Sequence, residues 1–200
     1  MTSATQRALE LIRCRGGTIR TSDALKAGIH RRTLYAMRDA GRLELQARGL
    51  YRLAELDPPA DPDLALVAER ISHGVVCLIS ALAIHDLTTQ IPRAVHLAIP
   101  RTARYPSLPE VVLEVYRFAN ASYEAGITQI EQSDVTMQVY DADKTIADCF
   151  KYRNKIGLDL VLEALKARRR QGDWNPQRIL EYARINRVAK QLTPYLEAIL

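Results

Sequence analysis

The sequence predicts an α+β protein: an N-terminal winged helix-turn-helix over residues 1–57, then a mixed α/β domain over residues 61–200 that ends in a helical segment. Three observations carry this. Residues 21–53 run helix, glycine turn, helix, alternating hairpin. Three prolines fall in Asp57-Pro58-Pro59-Ala60-Asp61-Pro62, which suits neither a helix nor a central strand. Beyond this boundary, short β-rich runs occupy residues 94–140, and a helical period takes over from residue 141.

The first helix is expected over Thr5–Arg15, with Ala8, Leu9, Leu11 and Ile12 apolar and Gly16-Gly17 as its stop. Thr18-Ile19-Arg20 is a short extended piece, expected as a third strand beside the wing. Thr21 or Ser22 caps the next helix, whose Ala24, Leu25 and Ala27 form an apolar side. Gly28 supplies the left-handed residue that ends it, and Ile29 plugs the turn. His30 or Arg31 opens the second helix of the pair, closed by Gly41. Leu34 and Met37, spaced i,i+3, pack inward, while Arg31, Arg32, Thr33, Tyr35, Arg38 and Asp39 mostly lie off that face. Leu43–Arg48 alternates, Gly49 turns, and Leu50–Leu53 returns as the wing.

In the second domain, a helix is expected over Asp63–Ile71 and a buried strand over Gly74–Ile79, after which Ser80 caps a helix to Leu87. Strands follow at Ala94–Ile99 and Val111–Phe118, separated by the basic loop Arg101-Thr102-Ala103-Arg104-Tyr105-Pro106. Gly126–Gln132 and Val135–Tyr140 read as a hairpin turning at Ser133-Asp134, so the sheet is mixed or antiparallel. Asp141 or Asp143 caps a helix over Lys144–Asn154. Leu158–Arg170 carries a stripe of Leu158, Val161, Leu162 and Leu165. Pro176 starts a helix to Asn186, and Pro194 either kinks the last helix or starts a new one.

Composition narrows the function. A hydrophobic content of 48% supports a packed core. No run of about 18 apolar residues exists for a transmembrane helix, and Met1–Arg7 lacks a signal-peptide apolar region. Cys14, Cys77 and Cys149 have neither zinc nor redox spacing and read as reduced thiols of a cytoplasmic protein. Residues 1–57 hold 11 Lys+Arg against 6 Asp+Glu, whereas residues 58–200 hold 17 against 17. The whole excess of +5 therefore sits with the helix-turn-helix pattern, which points to nucleic acid. Arg31, Arg32, Thr33, Tyr35 and Arg38, with His30 at the helix start, would enter the major groove of double-stranded DNA or grip its edges. Arg48 and Arg52 would reach phosphates or the minor groove from the wing, and Thr21 and Ser22 would meet a phosphate at a helix N-terminus. The competing reading is a winged helix used only for protein contacts.

Two further stretches, together with this wing, carry a resemblance. The segment Arg42-Leu43 to Arg48-Gly49-Leu50-Tyr51-Arg52-Leu53 resembles the wing of the small domain at the front of AbiEi-type antitoxins. Asp141–Asp159, with its Lys144-Thr145-Ile146-Ala147-Asp148, Phe150, Tyr152-Arg153, Lys155, Gly157 and Asp159, followed by Glu163-Ala164-Leu165, looks like a second segment of that family. Ser80-Ala81-Leu82, His85-Asp86-Leu87 and Ile91-Pro92 match a third, so the resemblance spans nearly the whole chain. It implies the antitoxin half of a type IV toxin–antitoxin pair. The winged helix would bind inverted repeats upstream of its operon and repress it. The remainder would counteract a nucleotidyltransferase-type toxin, without necessarily forming a stable complex with it.

The residues 141–155 also invite an enzymatic reading. Asp141 and Asp143 could pair on a metal, but Lys144 follows Asp143 immediately rather than two residues later, and helix capping accounts for both acids. Lys144, Asp148, Lys151, Tyr152, Arg153 and Lys155 are expected to form a polar helix surface that antagonises the toxin or binds RNA or nucleotide; a solvated face with internal ion pairs is the plainer account. Lys166, Arg168, Arg169 and Arg170 read as a solvated helix end, with a second phosphate contact as the alternative. His30, His73, His85 and His96 lack zinc spacing, and no phosphate-loop or dinucleotide glycine motif occurs. The chain thus reads as a non-enzyme without cofactor or metal. Its alternatives are an enzyme acting on nucleotides or on the toxin, and a regulator with a small-molecule sensor domain.

Overall fold

A computed structural model describes residues 3–56, 61–132 and 135–199. The boundary stretch Asp57-Pro58-Pro59-Ala60, the Ser133-Asp134 turn and the first two residues lie outside the described ones. The chain divides into two compact units, of which the first runs to Leu66 and takes in Glu131–Val135 and the second takes the remainder.

The first unit is built from α1 (Ser3–Arg13), β1 (Thr18–Arg20), α2 (Thr21–Lys26), α3 (Arg31–Asp39), β2 (Leu43–Ala47) and β3 (Leu50–Leu53). Its antiparallel sheet has the order β1-β3-β2, so the short extended piece does join the hairpin. Ile19 lies opposite Tyr51, and Leu45 opposite Tyr51 from the other side. Ala8, Leu9 and Ile12 of α1 meet Ala24, Ile29, Leu34, Met37, Leu43 and Leu53 in one core. The expected helical phase of Leu34 and Met37 thus matches their burial. Gly28, at φ +80°, makes the α2–α3 turn, and the Ile29 amide closes on the Ala24 carbonyl at 2.9 Å. Leu25, expected inward, is 40% exposed; Ala24 is the residue of α2 that points to the core.

Helix α4 (Pro62–Arg70) follows, with the Leu64 amide donating to Asp61 Oδ1 at 2.9 Å. The elements that follow are β4 (Val75–Val76), α5 (Leu78–Ile84), β5 (Val95–Pro100), β6 (Leu113–Phe118), α6 (Asn120–Glu124), β7 (Ile127–Gln132), β8 (Val135–Tyr140), α7 (Ala142–Lys151), α8 (Arg153–Ile156), α9 (Leu158–Arg170), α10 (Pro176–Ile185) and α11 (Ala189–Ile199), all in the second unit but for the adjoining ends of β7 and β8. Its sheet is mixed, in the order β6-β5-β4-β8-β7, with β5 and β6 parallel. Two expectations need correction. The strand foreseen over 74–79 is only two residues long, because Leu78, at φ +46°, turns the chain into α5 early. Ser80 therefore lies inside α5 and caps nothing; its hydroxyl donates to Ala94 O and accepts the His96 amide. Pro194 sits inside α11, and no described helix is long and apolar enough to cross a membrane.

Helix α7 packs against α5, α9 and α10, so little of it reaches solvent. Asp141 is its N-cap: Oδ1 accepts from the Lys144 amide at 2.8 Å. Just upstream, the Gly126 carbonyl accepts the Asp141 amide. Gly126 has φ +75°, and a Cβ there would lie 2.8 Å from Lys144 Cβ. Gly126→Ala is expected to lower stability by about 2–4 kcal/mol, from backbone strain plus overpacking. Chemical denaturation followed by circular dichroism checks this; an unchanged midpoint would contradict it.

Candidate nucleic-acid interface

Helix α3 divides its residues by phase. Leu34 and Met37 are buried beneath it, and Arg31, Arg32, Tyr35 and Arg38 are exposed above, with Thr33 half-buried between. His30 is the exposed N-cap and makes no side-chain capping bond. No acidic residue occupies the first turn. Two arginines thus stand where the helix dipole is already positive, an arrangement that an approaching anion relieves. His30, Arg31, Arg32, Thr33 and Ala36, with Thr5 and Leu25, line an open recess of about 610 Å³. Thr5 and Leu25 escaped the sequence reading, because nothing in the spacing ties α1 or the exposed side of α2 to this helix.

At the other end of α3, the Arg38 guanidinium donates to Asp39 Oδ1 at 2.9 and 2.7 Å and stands over the Tyr35 ring. Asp39 raises the Arg38 pKa further, so the arginine stays charged throughout the accessible range. The pair is exposed, which lets a phosphate exchange for the aspartate with little desolvation cost. Tyr51, packed below, has its hydroxyl pushed up chiefly by burial, with Tyr35 adding to the shift and Arg38 and Arg31 opposing it.

The remaining expected contacts divide. Arg48 is exposed at the hairpin turn and Ser22 is exposed at the start of α2. Thr21 is not a cap; that position belongs to Arg20. The Thr21 amide and hydroxyl both donate to the Gly49 carbonyl, at 2.8 and 3.2 Å, tying α2 to the hairpin. Arg52 is a correction: it is 7% exposed and donates from Nη1 to Leu56 O at 3.0 Å. Its strand is the middle one of three, and all four residues of that strand are covered.

The polar surface expected on α7 is also corrected. Lys144 and Asp148 are fully buried and pair at 2.5 Å. Asn186 Nδ2 donates to Asp148 Oδ1 at 2.6 Å, and the Lys144 ammonium sits over the Tyr140 ring. Burial pushes the Asp148 carboxyl up, and Lys144 holds it back. Lys151, Tyr152 and Arg153 are half-buried, while Lys155 is exposed and bonds Glu114 and Tyr116 at 2.9 Å. Arg168, expected in solvent, is buried; its Nε donates to Asp143 Oδ1 at 2.8 Å and its Nη2 to Asp173 Oδ2 at 2.9 Å. Asp141 Oδ2 takes Arg178 and Tyr182. The two acids of the enzymatic reading are thus held by cap and ion-pair partners. Sequence spacing did not show the part played by Asn186, which comes from the end of α10.

Residues 6–54 match the family model described as transcriptional regulator, AbiEi antitoxin, which agrees with the resemblance read from the sequence. No curated protein matches the chain. Among solved structures, the crystal structure of the RV2827C protein from Mycobacterium tuberculosis is similar, with a TM-score of 0.57 at 14% identity, over 98% of this chain and 82% of that one. At that identity the likeness is one of α+β fold.

Proposed function

We propose that this chain is a DNA-binding autorepressor and antitoxin of a type IV toxin–antitoxin pair, acting in the cytoplasm against a nucleotidyltransferase-type toxin. The first unit serves as a winged helix-turn-helix, with α3 as the recognition helix and β2–β3 as the wing. The observation that carries this is the division of α3, apolar residues below and Arg31, Arg32, Tyr35 and Arg38 above. A single helix fits the major groove, and arginine matches guanine O6 and N7 there. The match of residues 6–54 to an antitoxin regulator family supports the same reading. The partner is double-stranded operator DNA with inverted repeats. His30, Thr33, Ser22 and Arg48 flank the arginines as contacts, and Thr21 contributes by holding α2 against the hairpin. The second unit supplies the antitoxin activity; of its expected surface, Lys151, Tyr152, Arg153 and Lys155 remain available.

The test is binding of the full chain to its own upstream DNA, against scrambled DNA, across a salt series. Specific binding with a steep salt slope is expected. Arg31→Ala and Arg32→Ala should each cost about 1–3 kcal/mol of binding and relax sequence preference. A double variant that binds this DNA as tightly as the parent would overturn α3 as the reading helix.

A further inference from the structure

A second charged locus lies in the second unit. Lys151, the last residue of α7, is half-buried. Asp148, one turn earlier on α7, has both oxygens engaged, Oδ2 by Lys144 at 2.5 Å and Oδ1 by Asn186 at 2.6 Å. The Lys151 ammonium stands over the Phe118 and Tyr152 rings, and its one hydrogen bond among the described residues is to the neutral Asn186 Oδ1, at 3.4 Å, an oxygen that already accepts the Ser122 hydroxyl at 2.8 Å. Among the described residues Lys151 thus has no carboxylate within salt-bridge distance. Burial pushes the Lys151 ammonium down, and Lys144 and Arg101 push it the same way against Asp148.

Arg101 brings the second cation. Its amide is fixed on the Phe118 carbonyl at 3.1 Å, and its own carbonyl accepts Arg117 Nη1 at 2.5 Å. Its exposed side chain thus starts from the carboxyl ends of the parallel pair β5–β6, the side of an α/β sheet where ligands settle. The Phe118 ring lies 5.6 Å from Lys151 Nζ and nearly parallel to the partly exposed Tyr152 ring, 5.9 Å away. Tyr116 meets Tyr152 edge-on at 5.1 Å, so the ring is firmly held.

We propose that the second unit binds a nucleotide here, with Lys151 and Arg101 on its phosphates and the Tyr152 ring beside its base. Two cations that have no carboxylate within salt-bridge distance among the described residues suit a phosphate, and a rigid aromatic ring suits a base. A mononucleotide fits better than a nucleic-acid strand, because residues 58–200 carry 17 basic and 17 acidic side chains and offer no excess charge for a long backbone track.

The experiment is calorimetric titration of the full chain with ATP, CTP and inorganic phosphate, and with a single-stranded RNA decamer. Nucleotide binding that inorganic phosphate competes away is expected. Arg101→Gln and Lys151→Gln should each weaken it about tenfold. Lys151→Arg should retain it, and the exposed Arg101→Gln variant should melt with the parent, which separates loss of the site from loss of the fold. The Arg31→Ala, Arg32→Ala variant should bind nucleotide normally, so that failure of the DNA reading and failure of this one are distinct. No nucleotide binding at millimolar concentration, unaltered binding by both glutamine variants, or binding of the RNA decamer in preference to nucleotide would each overturn the assignment.

Discussion

Asp148→Ala is expected to destabilise the second unit by about 3–5 kcal/mol, a large fraction of the stability of an ordinary domain. The reason is Lys144. Its side chain is wholly buried, and its ion-pair partner is Asp148 at 2.5 Å. Removing the carboxylate strands an ammonium group in the core and leaves Asn186 Nδ2 without its acceptor. The rings of Tyr140 and Phe118, 4.2 and 5.0 Å away, stabilise the cation too weakly to replace a carboxylate. The size of the loss reflects one unmatched charge, not the net worth of the pair. A Lys144→Met, Asp148→Leu double variant should therefore recover most of it, since two buried charges exchanged for apolar volume are often near neutral. Urea denaturation can be followed through Trp174, the only tryptophan, which packs against the core of the second unit. A double variant no more stable than Asp148→Ala would show that the pair does more than neutralise itself.

Arg168→Met is expected to cost a similar amount, about 3–5 kcal/mol. Here the stranded group is Asp143, 2% exposed and paired with Arg168 Nε at 2.8 Å. Arg178 stands by at 3.7 Å from Asp143 Oδ2, but it is half-exposed and already engaged with Asp141. Methionine keeps much of the arginine stem, so the measured loss reports the charge and its hydrogen bonds rather than a cavity. Arg168→Met, Asp143→Leu should again recover stability. If Arg168→Met alone melts with the parent, Arg178 must have moved in to take the charge.

These two sites also mark where the sequence stopped being legible. Lys144 and Asp148 are four apart on one helix, the spacing of an ordinary solvent-side ion pair. Nothing local separates that case from the one found, in which α5, α9 and α10 close around α7 and Asn186 arrives from the end of α10. Arg168 misled in the same way: three arginines in a row at a helix end suggest solvent, yet the middle of the fold takes the first of them. The first unit was easier to read because its signals are local. Gly28 fixes one turn by its backbone sign, Leu34 and Met37 fix the phase of α3, and Gly49 fixes the hairpin. For Arg52, only the strand order, with β3 between two neighbours, shows that the side chain is covered.

The two-residue β4 has a consequence for how the second unit assembles. The β5–β6 pair and the β7–β8 pair each draw on nearby stretches of chain, residues 95–118 and 127–140. What joins them is β4, through Val75 and Val76 on one side and a parallel bridge from Val76 to Val139 on the other. The sheet is thus two half-sheets stitched along a narrow seam, and the stitch spans more than sixty positions of sequence, from Val76 to Val139. Contacts of that separation carry a large loop-closure cost, so the seam is expected to close after the local pairs have formed. Amide exchange at Val76 and Val139 then tracks the cooperative opening of the whole unit, whereas the outer strands β6 and β7 exchange through smaller, local openings.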